Sequence, residues 1–206
     1  MAVKLPVEID LVKGFLDHAE GEALYLHALE AAKLGPCLEV GSYCGKSTVY
    51  LGSACKAVDS ILYAVDHHRG SEEHQPGEEY HDESLFDADE NLVDTFRYFR
   101  HTLRSAGLEE HVVPIVAASH VASKKWATPL GMVFIDGGHS MAAAQADYRA
   151  WVQFIVPGGL LAIHDLFPDP SQGGQAPITI YRLALASGLF RELPGVQTLG
   201  LLRRIN

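Results

Sequence analysis

This chain of 206 residues predicts a doubly wound α/β fold: a seven-stranded, mostly parallel sheet with one antiparallel strand. Three observations carry the prediction. Short apolar runs alternate with helix-forming stretches along the chain, the pattern of parallel strands joined by crossover helices. One strand–turn–helix corner, residues 37–50 (CLEVGSYCGKSTVY), holds Gly41 and Gly45 in its turn. The last two apolar segments, 190–193 and 198–203, are joined by a turn containing Pro194 and Gly195. That link is too short for a parallel crossover, so the final strand should run antiparallel to its neighbour.

Residues 8–18 and 20–34 read as two helices, the second rich in helix formers and ended by Gly35-Pro36. They make residues 1–35 a helical cap, fitted to cover the sheet, to touch substrate or to meet a second subunit. After the glycine corner and its helix (about 45–55), residues 61–65 form a short buried strand ending at Asp66. Residues 67–88 are polar and acidic and hold His67, His68, His74 and His81; their place just past a strand end suggests a lid-like loop. Histidines 74 and 81 read as solvated, while His67, His68 and Arg69 lie near enough to the strand to face a pocket.

An amphipathic helix over 91–106 presents Leu92, Phe96, Phe99 and Leu103 on one face and stops at Gly107. Strand 112–116 leads to Ala117-Ala118-Ser119-His120. Strand 131–135 runs into Asp136-Gly137-Gly138-His139, and a helix spans 141–154. Pro157-Gly158-Gly159 turns into strand 160–163, which ends at His164-Asp165; a loop over 167–177 and a helix over 178–187 follow. No repeat or linker divides the chain, so 1–206 reads as a single domain.

Composition narrows the function. At 48% hydrophobic and 20% charged residues the chain is that of a soluble globular protein. A net charge of −10 argues against nucleic acid as a partner, because phosphate binding needs clustered Lys and Arg. No apolar run approaches membrane-spanning length, and the N-terminus lacks the apolar core of a signal peptide. Cys37, Cys44 and Cys55 form no C-x-x-C pair and leave an odd count, which suggests the cytoplasm.

The corner at 37–50 has ligand-binding chemistry. Glycines let the backbone approach a ligand, and free N–H groups at a helix start attract electron-rich atoms. The spacing fits neither G-x-G-x-x-G, because Tyr43 takes the place of the middle glycine, nor the phosphate loop, which needs its glycines one residue further apart. A carboxylate at Asp66, 25 residues past Gly41, can accept from both hydroxyls of a ribose. Asp136, His139, His164 and Asp165 close two later strands that should open onto the same crevice. Two carboxylates and an imidazole there suit a divalent cation.

The pattern E-x-G-x-x-x-G resembles motif I of the class I S-adenosylmethionine (SAM) methyltransferases, and GSYCGKS is similar to the variant in the catechol O-methyltransferase group. D-G-G-H at 136–139 resembles the D-G-x-H of the macrocin-type sugar O-methyltransferases. The resemblance spans residues 36–203 and implies a Rossmann-like methyltransferase fold. It implies SAM held by Glu39, Gly41, Ser42, Gly45, Asp66, Ser119, His120 and Asp136, with His139 as general base. It also implies a divalent metal, Mg²⁺ or similar, on Asp136 and Asp165; His164 stands where those families place a carboxylate, and it could be a further ligand, act as a second base or orient Asp165. The implied reaction is methyl transfer to a hydroxyl of a small-molecule acceptor, by a cytoplasmic homodimer. Two alternatives stand beside it: a metal-independent methyltransferase with His139 or His164 as base, and a SAM- or nucleoside-binding protein without turnover.

Overall fold

The structure is a computed structural model that describes residues 3–78 and 80–206. After a 3-10 turn at Ile9–Leu11 the chain enters α1 (His18–Ala31), whose start is set by Asp17, its carboxylate accepting from the Ala19 amide at 2.7 Å. Next come β1 (Cys37–Val40), α2 (Lys46–Ala57) and β2 (Leu62–Asp66). A small hairpin of β3 (Phe86–Asp87) and β4 (Leu92–Val93) precedes α3 (Phe96–Ala106) and β5 (Val112–Val116). The second half runs α4 (Ser119–Ala122), β6 (Leu130–Ile135), α5 (Met141–Trp151) and β7 (Ile155–Ile163). It closes with α6 (Ala176–Ala186), β8 (Phe190–Val196) and β9 (Leu199–Arg204).

The main sheet has seven strands in the order β5-β2-β1-β6-β7-β9-β8. It is parallel from β5 through β7, and β9 lies antiparallel between β7 and β8, as the short link had required. Successive side chains point to opposite faces, so each strand feeds two cores. Cys37, Leu62, Ala64, Met132 and Phe134 pack with α1, α2 and α3, against Leu24, Leu51 and Phe99. Leu38, Val65, Val133, Ile135 and Ile163 pack with α5 and α6, against Trp151 and Ile180. Burying a residue such as Phe99 or Leu38 completely is worth roughly 1.5–3 kcal/mol. Among the described residues no helix is long and apolar enough to cross a membrane.

Register places the chemistry. Val40 pairs with Val65 and with Ile135, and Ile135 pairs with Ile163. The next residue on each strand therefore falls in one row: Gly41, Asp66, Asp136 and His164. Backbone bonds hold that row beyond the last pairs, from Gly41 N to Val65 O (3.0 Å), Asp136 N to Val40 O (2.9 Å) and His164 N to Ile135 O (3.1 Å). The chain moves outward from β1 to β2 on one side and returns through β6 on the other, so the row crosses the switch point of the sheet.

Several boundaries differ from expectation. Residues 8–18 do not form a helix beyond the turn at Ile9–Leu11: Val12 is extended and Gly14 has φ +146°. Eleven residues with a glycine near the middle cannot sustain a helix without packing on one face. The helix expected from residue 91 begins at Phe96, because Asn91 adopts φ +54° and Leu92–Val93 pairs with β3. Pro194-Gly195 lies inside β8 at a bulge, and the turn is made by Gln197 (φ +49°) and Thr198. β7 already runs through Pro157-Gly158-Gly159, again with a shift of register.

Candidate active site

The glycine turn is shaped by its neighbours. Gly41 has φ +86°, and a Cβ there would lie 2.1 Å from the carbonyl oxygen of Asp136. Tyr43 follows at φ +46°, and Gly45 at φ +98° is the N-cap of α2 with no side-chain cap. That helix start keeps unpaired N–H groups beside the turn. Asp66 ties the turn to the chain leaving β2: its two oxygens accept from Tyr43 N at 2.8 Å and His68 N at 2.7 Å. Each oxygen retains a second lone pair for a hydroxyl.

Glu39 shares a face with Cys37 and so turns toward α2, where Thr48 Oγ1 donates to it at 2.5 Å. It is fully buried, and its other oxygen, like Ser42 Oγ, has no partner among the described residues. Burial pushes the Glu39 carboxyl up to about 8, against hydrogen bonds from Ser47 and Thr48 that lower it. The folded value lies above the unfolded one, so this stability is fully present below the unfolded pKa and fades as pH rises through the folded value. Glu39→Gln is therefore expected to flatten the decline of Tm between about pH 5 and 9, a span worth on the order of 3–5 kcal/mol. Melting curves of both proteins across that range check it.

Ser119 is buried at the start of the short α4 and His120 beside it is exposed. Asp147 of α5 lies near Ser119, and burial raises the Asp147 carboxyl while Ser119 lowers it. Asp147 Oδ2 fills the space beside Gly137, where a Cβ would sit 2.6 Å from it. No motif had pointed to this residue.

The two later strand ends do converge. One ligand atom each from Asp136, His139 and Asp165 lie within 4.8 Å of one another. Asp165 adopts φ +58°, a left-handed conformation that Asp tolerates better than most residues and that turns its carboxylate back into the site. His139 Nε2 is 3.0 Å from Asp165 Oδ2, and its Nδ1 is 3.2 and 3.3 Å from the two oxygens of Glu73. Those bonds, that of Asp165 first and of Glu73 second, push the His139 ring up to about 10 against burial. A ring so held is charged at neutral pH.

His164 stands differently from the expectation of a ligand. Nε2 lies 2.9 Å from Glu20 Oε2, and Nδ1 lies 3.1 Å from Asp136 Oδ1 and 3.3 Å from Asp165 Oδ1. Both nitrogens are committed to carboxylates, so in this arrangement neither offers a lone pair to a cation. Burial disfavours the charged ring, but Asp136, Asp165 and Glu20 outweigh it and hold the ring well above the usual imidazole range. Asp165 would be raised by burial, yet its bonds from His139 and His164 hold it well below the usual carboxylate range.

The segment after β2 is folded over the site rather than loose. Glu73 reaches His139, and the His74 ring stacks on Tyr43 with centroids 4.9 Å apart. Lys13 Nζ bonds Asp82 at 2.5 Å, and Phe15 packs on Tyr43 and Tyr80. An open cleft of about 440 Å³ lies among Lys13, Phe15, Tyr43, Tyr80 and Asp82. His68 turns away from it: it is buried between Phe96 and Phe99, its Nδ1 at 2.8 Å from Thr95 Oγ1.

Comparison with known proteins agrees with this fold. A family model described as a methyltransferase domain matches residues 38–166. The fold is similar to that of the O-methyltransferase TomG from Streptomyces achromogenes, involved in tomaymycin synthesis and solved with SAM, at 15% identity over 96% of this chain and 84% of that one (TM-score 0.64). It is also similar to the O-methyltransferase NovP, at 14% identity over 90% and 79% (TM-score 0.68). The SAH-bound methyltransferase PaMTH1 from Podospora anserina matches at 12% identity over 93% and 80% (TM-score 0.66).

Proposed function

The chain belongs to the methyltransferase domain family matched at residues 38–166, and from that premise we propose that it transfers a methyl group from SAM to a hydroxyl of a small molecule with a divalent cation assisting. The observation that supports this best is the single row of Gly41, Asp66, Asp136 and His164, with Asp136, His139 and Asp165 close enough to share an ion.

The residues present fit both groups. Glu39 and Ser42 keep buried polar atoms without partners beside the glycine turn, and Asp66 retains lone pairs for two hydroxyls. Gly41, Gly45, Ser119, His120 and Asp136 complete the surroundings proposed for the cofactor. SAM, when bound, supplies a methyl group already activated on a sulfonium. Asp136 and Asp165 offer carboxylate oxygens to a cation, a set that suits Mg²⁺ or Mn²⁺, and His139, whose two nitrogens face Asp165 and Glu73, stands beside them. Such an ion, when bound, lowers the pKa of an acceptor hydroxyl.

The protein's part is alignment, exclusion of water and removal of the acceptor proton. His139 is the proposed base. As held here both ring nitrogens carry protons, so it serves as a base only after giving one up to solvent, which is favoured once one carboxylate lets go: Glu73 by movement away from the ring, or Asp165 by taking up another charge. A second reading, base catalysis without a metal, is favoured by the ion pairs that already engage His139 and Asp165.

Thermal shift separates the ligand classes. SAM and S-adenosylhomocysteine (SAH) are expected to raise Tm, by about 2.7 kcal/mol of stabilisation at a hundredfold excess over Kd, and NAD and ATP are not. EDTA treatment is expected to abolish turnover, with Mg²⁺ or Mn²⁺ restoring it. Full activity after EDTA would support the metal-free reading.

A further inference from the structure

On α1 the buried stripe runs Glu20, Leu24, Ala28 and Ala31. An apolar residue would ordinarily begin that stripe, because a buried carboxylate is costly unless it is paired and hydrogen-bonded. Glu20 is only 2% exposed and fully partnered. Oε1 accepts from Thr198 N at 2.8 Å and from Thr198 Oγ1 at 2.7 Å, and Oε2 accepts from His164 Nε2 at 2.9 Å.

Glu20 also occupies the third helical position after Asp17, where a capping box places a glutamate. Distances decide between the two roles. The return bond from Asp17 N is 3.4 Å long, whereas the three contacts toward Thr198 and His164 are between 2.7 and 2.9 Å. The side chain is thus committed chiefly to the strand ends.

What it holds there is a clamp. With Nε2–H fixed on Glu20, the ring of His164 turns Nδ1–H between Asp136 Oδ1 and Asp165 Oδ1. One donor then draws one oxygen of each carboxylate together. The other oxygen of Asp165 faces His139, and Asp136 has its second oxygen to spare. We propose that Glu20, anchored by Thr198, is a positioning residue that acts through His164 to hold Asp136 and Asp165 in the spacing a shared cation needs. Outer partners of this kind commonly set cation affinity by orienting the groups that bind it. Glu20 and Thr198 both lie outside the span 38–166 matched by the family. The N-terminal helix is by this inference part of the site rather than only a cover for the sheet. The inference rests on the metal-assisted reading above.

Mn²⁺ binding to the metal-free protein, followed by electron paramagnetic resonance of the free ion, tests it without reference to turnover. Glu20→Gln is expected to raise the Mn²⁺ Kd about 10-fold while leaving SAH affinity unchanged. Thr198→Val should weaken Mn²⁺ in the same direction by a smaller factor. Asp17→Ala serves as the structural control: it removes the cap of α1 and the bond from Gln197 Nε2 to Asp17 Oδ1 (2.9 Å) while leaving the Thr198 and His164 contacts of Glu20 in place, and should lower Tm with Mn²⁺ affinity intact. Wild-type affinity in Glu20→Gln, or an equal loss in Asp17→Ala, would overturn the inference. Failure of the wild-type protein to bind Mn²⁺ at all would instead overturn the metal-assisted reading, and this inference with it.

Discussion

His139→Ala is expected to lower kcat by about two to four orders of magnitude, the usual contribution of a positioned general base, while SAH binds as before. The imidazole sits between Asp165 and Glu73 at the end of β6, and the glycine turn that would hold the cofactor lies on the neighbouring strand. Removing the ring therefore takes away the proposed proton acceptor without touching Glu39, Ser42 or Asp66. Glu73→Gln should act in the opposite sense on the acid limb of the pH profile. It removes one of the two carboxylates that keep the ring charged, so the ring loses its proton at lower pH and the limb moves down. Rates under single-turnover conditions measure both effects free of product release. An alanine variant with wild-type kcat would remove His139 from the chemistry.

Gly41→Ala is expected to cost stability at every pH. Two costs combine at this position. A residue with a Cβ is strained at φ +86°, and the added carbon would lie 2.1 Å from the Asp136 carbonyl oxygen and 2.6 Å from its carbon. Both neighbours are backbone, held by the ladder between β1 and β6, so neither can swing aside. A loss of roughly 3–4 kcal/mol is expected, enough to lower Tm by about 10 °C in a chain of this size. SAH binding should fail with it, since the same displacement moves Asp136 and the turn apart. Gly188→Ala supplies the comparison: its φ is +71° with nothing within 4 Å of the added carbon, so only the strain of about 1 kcal/mol remains. Equal losses in the two variants would show that close packing of strand ends contributes nothing at Gly41.

The row of strand ends was legible because each strand is a short, mostly apolar run closed by a glycine or a polar residue. A parallel register then aligns those closing residues whatever the loops do between them. The reversed last strand was legible for a similar reason, since a short link leaves the chain no room to cross over. What escaped the sequence depended on partners remote in the chain. Glu20 had no mark in the sequence beyond its place at the start of a helix, and only the fold brings His164, 144 residues later, within 2.9 Å of it. Glu73 lies in a segment with no periodicity, so nothing marked it as the partner of His139. The same limit left His164 open between ligand, base and a group that orients Asp165, because its partners Glu20 and Asp136 are remote in the chain. Helix expectations at 8–18 and 91–95 failed locally, at backbones turned by Gly14 and Asn91.

One crystallographic measurement tests the shared cleft most directly: anomalous diffraction from crystals grown with SAH and Mn²⁺. A single manganese peak among Asp136, His139 and Asp165, with the SAH ribose on Asp66, is the expected result. A manganese peak elsewhere, or SAH seated away from the Gly41–Gly45 turn, would contradict it.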